Sequence, residues 1–214
     1  MNILAICGAA NKSRNTATML RSAFDGAMSV PDAAGELVYL YDVDFKGCTG
    51  CHSCKLLDEG KFARCAMRDG LTPVLEKAID ADVLLIGSPI YFNDVTGEIR
   101  SFLERFLFPG ITYNKERTPT YPKRPQVGWV FTMNAPGEFY SDFFGGLKDT
   151  TTRIIGESEY VMAYHTQQFE DYSKYAATMF DVDMVKKRHV EQFPLDCKAA
   201  FEMGKRLGSA ALSK

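Results

Sequence analysis

The 214-residue chain contains no apolar run close to the roughly 18 to 20 residues that a membrane-crossing helix needs. Its opening stretch, MNILAICGAANKS, lacks a basic start and is too briefly apolar for a secretory leader, so the expected location is the cytoplasm. No basic cluster or tail is present. With 25 Lys and Arg against 27 Asp and Glu, the net charge of −2 gives no reason to expect DNA or another polyanion as partner. Internal repeats, low-complexity tracts and linkers are missing too, so residues 1–214 are read as one domain, long enough to bury a core without covalent staples. Neither the Walker pattern nor G-x-G-x-x-G occurs, which removes the two standard nucleotide fingerprints. Histidine is scarce and scattered: His52, His165 and His189 share no motif.

What is present is an alternation of short apolar runs with helical periodicity. NILAIC (2–7), ELVYLY (36–41), DVLLIGSP (82–89), QVGWVFTM (126–133) and EYVMAY (159–164) read as five strands. The third is apolar without interruption, as a strand covered on both faces must be. Between them, Met19, Leu20, Ala23, Phe24, Ala27 and Met28 recur at helical spacing, as do Ile99, Phe102, Leu103, Phe106 and Leu107. LTPVLEKAIDA (71–81) reads as a helix with Thr72 as cap and Pro73 in its first turn, and residues 182–212 read as helix interrupted near Pro194. Such alternation predicts an α/β fold with a parallel sheet and helices on both faces, whose ligands bind beyond the carboxyl ends of the strands.

Two loops on that edge stand out. GAANKSRNTA (8–17) opens a helix whose first-turn amides suit a phosphate, with Ser13, Asn15 and Thr16 as further donors and Arg14 as a cation. The alternative is an ordinary helix start capped by Ser13 or Asn15. GSPIYFNDVTGEIRSFLERF (87–106) puts Tyr91 and Phe92 on a loop, either against a flat ligand or packed under neighbouring loops.

On these residues the chain resembles the NAD(P)H-dependent FMN reductase and iron–sulfur flavoprotein branch of the flavodoxin-like superfamily, from Met1 to about Asn134. GAANKSRNT (8–16) is similar to that branch's GSPRKNGNT, departing at Ala9 and Ala10, and residues 89–105 follow its P-x-Y-x-x-x-x-S/T-G-x-x-K/R-x-F-x-D/E-R pattern. The resemblance implies a three-layer flavodoxin-like fold with strand order 2-1-3-4-5 and FMN at the switch between strands one and three. It places the phosphate on Ala9, Ala10, Ser13, Arg14, Asn15 and Thr16, and the ring and ribityl chain on Pro89, Ile90, Tyr91, Phe92 and Asn93. Asn134, Ala135 and Gly137, after strand four, form the third wall by position. The implied activity passes hydride or electrons from NAD(P)H to a small-molecule acceptor in a homodimer or larger homo-oligomer. Hydride transfer requires no acid–base residue, so none is assigned.

GCTGCHSCK (47–55) and the later FARC set Cys48, Cys51, Cys54 and Cys65 at C-x2-C-x2-C-x10-C. In a cytoplasmic protein such thiols point to a metal or redox role rather than to structural disulfides. A [4Fe–4S] cluster, zinc, a Cys51–Cys54 redox pair and reduced unligated thiols all fit this spacing. The resembling iron–sulfur flavoproteins carry a similar run with a shorter last gap, which makes an electron carrier the alternative function. His52 is a substitute ligand candidate in that loop, whereas Cys7 and Cys197 read as packing residues. His165, at the end of strand five, either faces a substrate or meets solvent. The long connector PGITYNKERTPTYPKRP (109–125) reads as a dimer contact or substrate cover.

Overall fold

A computed structural model describes residues 1–58, 60, 62–116 and 120–213. Strands β1 (Asn2–Cys7), β2 (Ala34–Tyr39), β3 (Val83–Pro89), β4 (Gln126–Thr132) and β5 (Ser158–Ala163) form one sheet in the order β2-β1-β3-β4-β5. Every pairing is parallel. Both the expected order and the expected layering are found. Among the described residues, no helix is long and apolar enough to cross a membrane.

Because successive strand residues face opposite sides, β1 divides its apolar residues between two cores. Leu4 and Ile6 join one, with α2 (Thr72–Asp80), α3 (Gly97–Leu107) and α4 (Ser141–Ile154). Ile3, Ala5 and Cys7 join the other, with α1 (Asn15–Met28) and α6 (Phe193–Leu212). A Cβ built on Gly204 of α6 would lie 1.8 Å from the Ala23 carbonyl oxygen of α1, so that pair can approach only where α6 has no side chain.

Several boundaries differ from the sequence reading. β2 starts and ends earlier than 36–41, because Leu40–Asp42 turn as a short 3₁₀ segment. Thr72 is the first residue inside α2 rather than its cap; its hydroxyl donates to the Met67 carbonyl at 3.1 Å. Neither Ser13 nor Asn15 caps α1: Arg14 holds the cap position without a side-chain bond, and Ser13 turns back onto Asn11 at 2.9 Å. The C-terminal helical stretch does break, at Gln192, between α5 (Val182–Glu191) and α6. Helix α4 had no assignment from sequence.

Candidate functional site

At the carboxyl edge of the sheet the turn after β1 is bonded both to β3 and to the loop that follows it. The Gly8 amide donates to the Gly87 carbonyl at 2.8 Å, and the Thr96 hydroxyl donates to the Gly8 carbonyl at 2.9 Å. Thr96 also donates its own amide to Ser88 Oγ at 3.0 Å. A Cβ at Gly8 would stand 2.1 Å from Ile99 Cγ1, so a glycine is what lets the first turn sit against α3. The loops after β4 and β5 join the same construction. Met133 donates to Ala163 O at 2.9 Å, Thr166 returns an amide to Met133 O at 3.0 Å, and Thr16 and Thr132 share a buried hydroxyl contact of 2.7 Å.

Between these loops opens a cleft of about 770 Å³, within the range of small-molecule and cofactor sites. Of the residues expected from sequence, Ala9, Ala10, Arg14, Asn15, Thr16, Pro89, Ile90, Tyr91, Asn134 and Ala135 line it. Ser13, Phe92, Asn93 and Gly137 do not. Phe92 and Asn93 occupy the tip of a two-residue hairpin closed by Tyr91 and Asp94, at φ values of 51° and 63°. Positive φ at both central positions is the turn that matches strand twist, and it leaves the Phe92 side chain wholly in solvent.

The sequence reading missed much of a fourth wall. Residues after β5 supply His165, Thr166, Gln167, Gln168, Met179 and Phe180 to the cleft, and α5 adds Met184 and Val185. Asn15 Nδ2 donates to Gln167 O at 2.9 Å and Arg14 pairs with Glu170 at 3.0 Å, which ties this wall to the start of α1. The wall also has a small core of its own in Tyr172, Ala177 and Val185. One signal could have exposed it: the edge rule applied to β1, β3 and β4 covers β5 equally. The described part of the 109–125 connector is absent from the cleft lining. Its residues 110–115 border a separate cavity of about 510 Å³ with Arg153 and Ile154. Arg117, Thr118 and Pro119 of that connector lie outside the described residues, as do Glu59 and Lys61 of the cysteine loop.

All four clustered cysteines line one shallow cavity of about 20 Å³, and none of its lining residues belongs to the cleft. Cys48 and Cys51 are exposed, Cys65 is half-buried and Cys54 is buried. Positive φ at Gly50, His52 and Ala63 bends the loop around it. His52 borders the same cavity, edge-on to Phe108. Among the described residues, no three His, Cys, Asp or Glu side chains surround a single metal-ion position. Among the described residues, Lys55 and Arg105 place cations beside the thiols. Lys55 Nζ donates to the Phe108 carbonyl and, at 2.7 Å, to that of Ile111, over the Phe108 ring. Arg105, with a fully buried side chain, donates from Nε to Cys65 Sγ at 3.4 Å and pairs with Asp69 at 2.6 Å. Burial pushes the Cys54 thiol up, against the pull of Lys55, and pushes the Lys55 ammonium down. Burial would also raise Asp69, but the hydrogen bond and charge of Arg105 outweigh it and hold that carboxyl below its usual range. The donor chemistry fits a thiolate-held metal group, with positive charge placed to offset the thiolates.

A parallel sheet of this order with a cleft at its switch point defines a flavodoxin-like protein. Its matching family model, NADPH-dependent FMN reductase, covers residues 1–121, and the chain belongs to that family. An iron–sulfur flavoprotein of Archaeoglobus fulgidus is 36% identical over 105 residues, 49% of this chain and 48% of that protein; the chain thus matches about half the length of this curated relative. Among solved structures, an azoreductase from Bacillus anthracis superposes with a TM-score of 0.67 at 8% identity, covering 96% of this chain and 99% of that one. An FMN-dependent NADH-azoreductase of the same organism, in complex with FMN, gives 0.64 at 11% identity, covering 97% and 99%. At such identities the likeness is one of fold.

Proposed function

We propose that the chain is an FMN-dependent oxidoreductase that draws on NAD(P)H and reduces a small-molecule acceptor. The observation that supports this most is the bonding of the turns after β1 and β3 into one rim over a cofactor-sized cleft. When bound, FMN supplies the chemistry of accepting a hydride and passing electrons on. The chain's part is to hold and orient it. The turn at 9–16 receives the phosphate, with Arg14 and Asn15 at the start of α1, where helix amides and dipole favour an anion. Pro89, Ile90 and Tyr91 flank the ring, and Asn134 with Ala135 meets its polar edge. Half-exposed Tyr91 and well-exposed Phe139 and Met179 form an apolar rim on the same cleft, the kind of surface that a second copy of the chain covers. FMN titration tests the reading: uptake of one FMN per chain, with its two-band spectrum bleached by NAD(P)H without oxygen, is expected. Failure to retain FMN overturns it.

The second reading, an iron–sulfur flavoprotein carrying electrons to a partner, is favoured by the cysteine cavity. Cys48, Cys51, Cys54 and Cys65 would hold the cluster, which would supply one-electron transfer. A zinc ion draws its sulfurs to about 2.3 Å from one point. Four cysteine thiolates are also the ligand set that a [4Fe–4S] cluster would take, and the cavity brings all four together. Iron and acid-labile sulfide in protein purified without oxygen are the test, and their absence removes this reading while leaving the first untouched.

A further inference from the structure

Arg105 has no assigned role, yet among the described residues of the thiol region it is an enclosed cation. Its side chain is wholly buried. It reaches both arms of the cysteine loop at once: Nη1 donates to Lys46 O at 3.0 Å and to Asp69 Oδ2 at 2.6 Å, and Nη2 reaches Met67 O at 3.5 Å. Lys46 precedes the first cysteine of the cluster and Met67 and Asp69 follow the last, so one guanidinium closes the base of the loop. A further donor, Nε, is aimed at Cys65 Sγ at 3.4 Å. Lys55 is another cation there, but its ammonium is spent on the carbonyls of Phe108 and Ile111. Glu104, on the preceding position of α3, instead accepts the Cys48 amide at 3.0 Å.

We propose that Arg105 is a positioning residue that both clamps the cysteine loop and raises the reduction potential of the group those cysteines hold. The proposal rests on the cluster reading above. A donor N–H on a ligating sulfur, and a buried positive charge beside it, both favour the state carrying one more electron. Asp69 opposes this by partly neutralising the guanidinium, so the two residues act on the potential with opposite sign. A purely structural pair would not: removing either member would weaken the fold in the same sense.

The experiment is a spectroscopically monitored redox titration of the loaded 214-residue chain, with iron content and the flavin potential measured alongside. Arg105→Gln is expected to shift the cluster potential negative and Asp69→Asn to shift it positive, with the flavin potential unmoved in both. Loss of iron from a folded, FMN-retaining Arg105→Gln protein also supports the clamp. Should Arg105→Gln fail to fold, Asp69→Asn decides alone, because its amide oxygen still accepts from Arg105. An unchanged or negative shift in Asp69→Asn overturns the proposal, as does an unchanged potential in Arg105→Gln with iron retained. Wild-type protein without iron or sulfide overturns the proposal together with the cluster reading on which it rests, a result distinct from an iron-loaded wild type whose variants do not shift.

Discussion

The Thr96 hydroxyl meets the Gly8 carbonyl at 2.9 Å, so a residue that starts α3 holds the turn that follows β1. Two loops separated by most of a hundred residues of sequence thereby share one buried bond. Thr96→Val keeps the shape and removes the donor, leaving the Gly8 carbonyl unpaired at a buried position. The expected loss is about 1–3 kcal/mol in urea unfolding, together with weaker FMN retention. Undiminished FMN affinity in a folded Thr96→Val protein would count against the shared rim.

Arg14 offers a sharper test of the phosphate position. Its ion pair with Glu170 joins two largely exposed groups, and such pairs add little to stability. Arg14→Ala should therefore leave the melting temperature nearly unchanged while reducing FMN affinity about 10- to 100-fold, the range for one lost hydrogen bond to a charged group. Equal affinity in wild type and variant would place the phosphate elsewhere.

The hairpin tip at Phe92 predicts a gain rather than a loss. A phenylalanine at positive φ is strained, and glycine adopts that region freely. Phe92→Gly is expected to raise stability by about 0.5–1 kcal/mol. If turnover falls at the same time, the exposed ring contributes to substrate or subunit contact; a destabilised variant would refute the account of the turn.

Asp82 gives the acid limb of stability. Burial alone would raise its pKa, but the Asn2 amide at 2.7 Å and the Lys123 ammonium at 2.9 Å bring it below the ordinary 3.8. A carboxyl depressed in the folded state stabilises most above its unfolded value and loses that contribution as pH falls through the folded one. Wild type should exceed Asp82→Asn in stability at neutral pH, and the two curves should converge below about pH 4. Parallel curves down to pH 2 would show that the bond contributes nothing.

Much of the fold was legible because its signals are local. The apolar run at 82–89 carried the pattern expected of a strand covered on both faces, and Gly8 with Thr96 stood inside recognisable motifs. Helix α4 was missed because its apolar residues, Phe143, Phe144 and Leu147, are separated by Gly145 and Gly146, which dilute helical periodicity. Ser13 suggested a phosphate donor by type, but its bond to Asn11 depends on how the turn folds, which composition does not encode. The convergence of Cys65 with Cys48, Cys51 and Cys54 across ten intervening residues likewise depends on Arg105, fixed from a helix forty positions away. The wall at 164–181 has no motif at all; only its attachment to β5 places it.

That wall is joined to the body by loop-to-loop bonds, Thr166 on Met133, Asn15 on Gln167 and Arg14 on Glu170 among them, and carries a small apolar nucleus of its own. Loop segments of this kind open more readily than the sheet beneath them, and a ligand that binds only the closed form shifts that balance by mass action. Filling the cleft should therefore shield residues 164–181 from proteases and slow their amide exchange, while the glycine-seamed packing of α1 on α6 stays indifferent to occupancy.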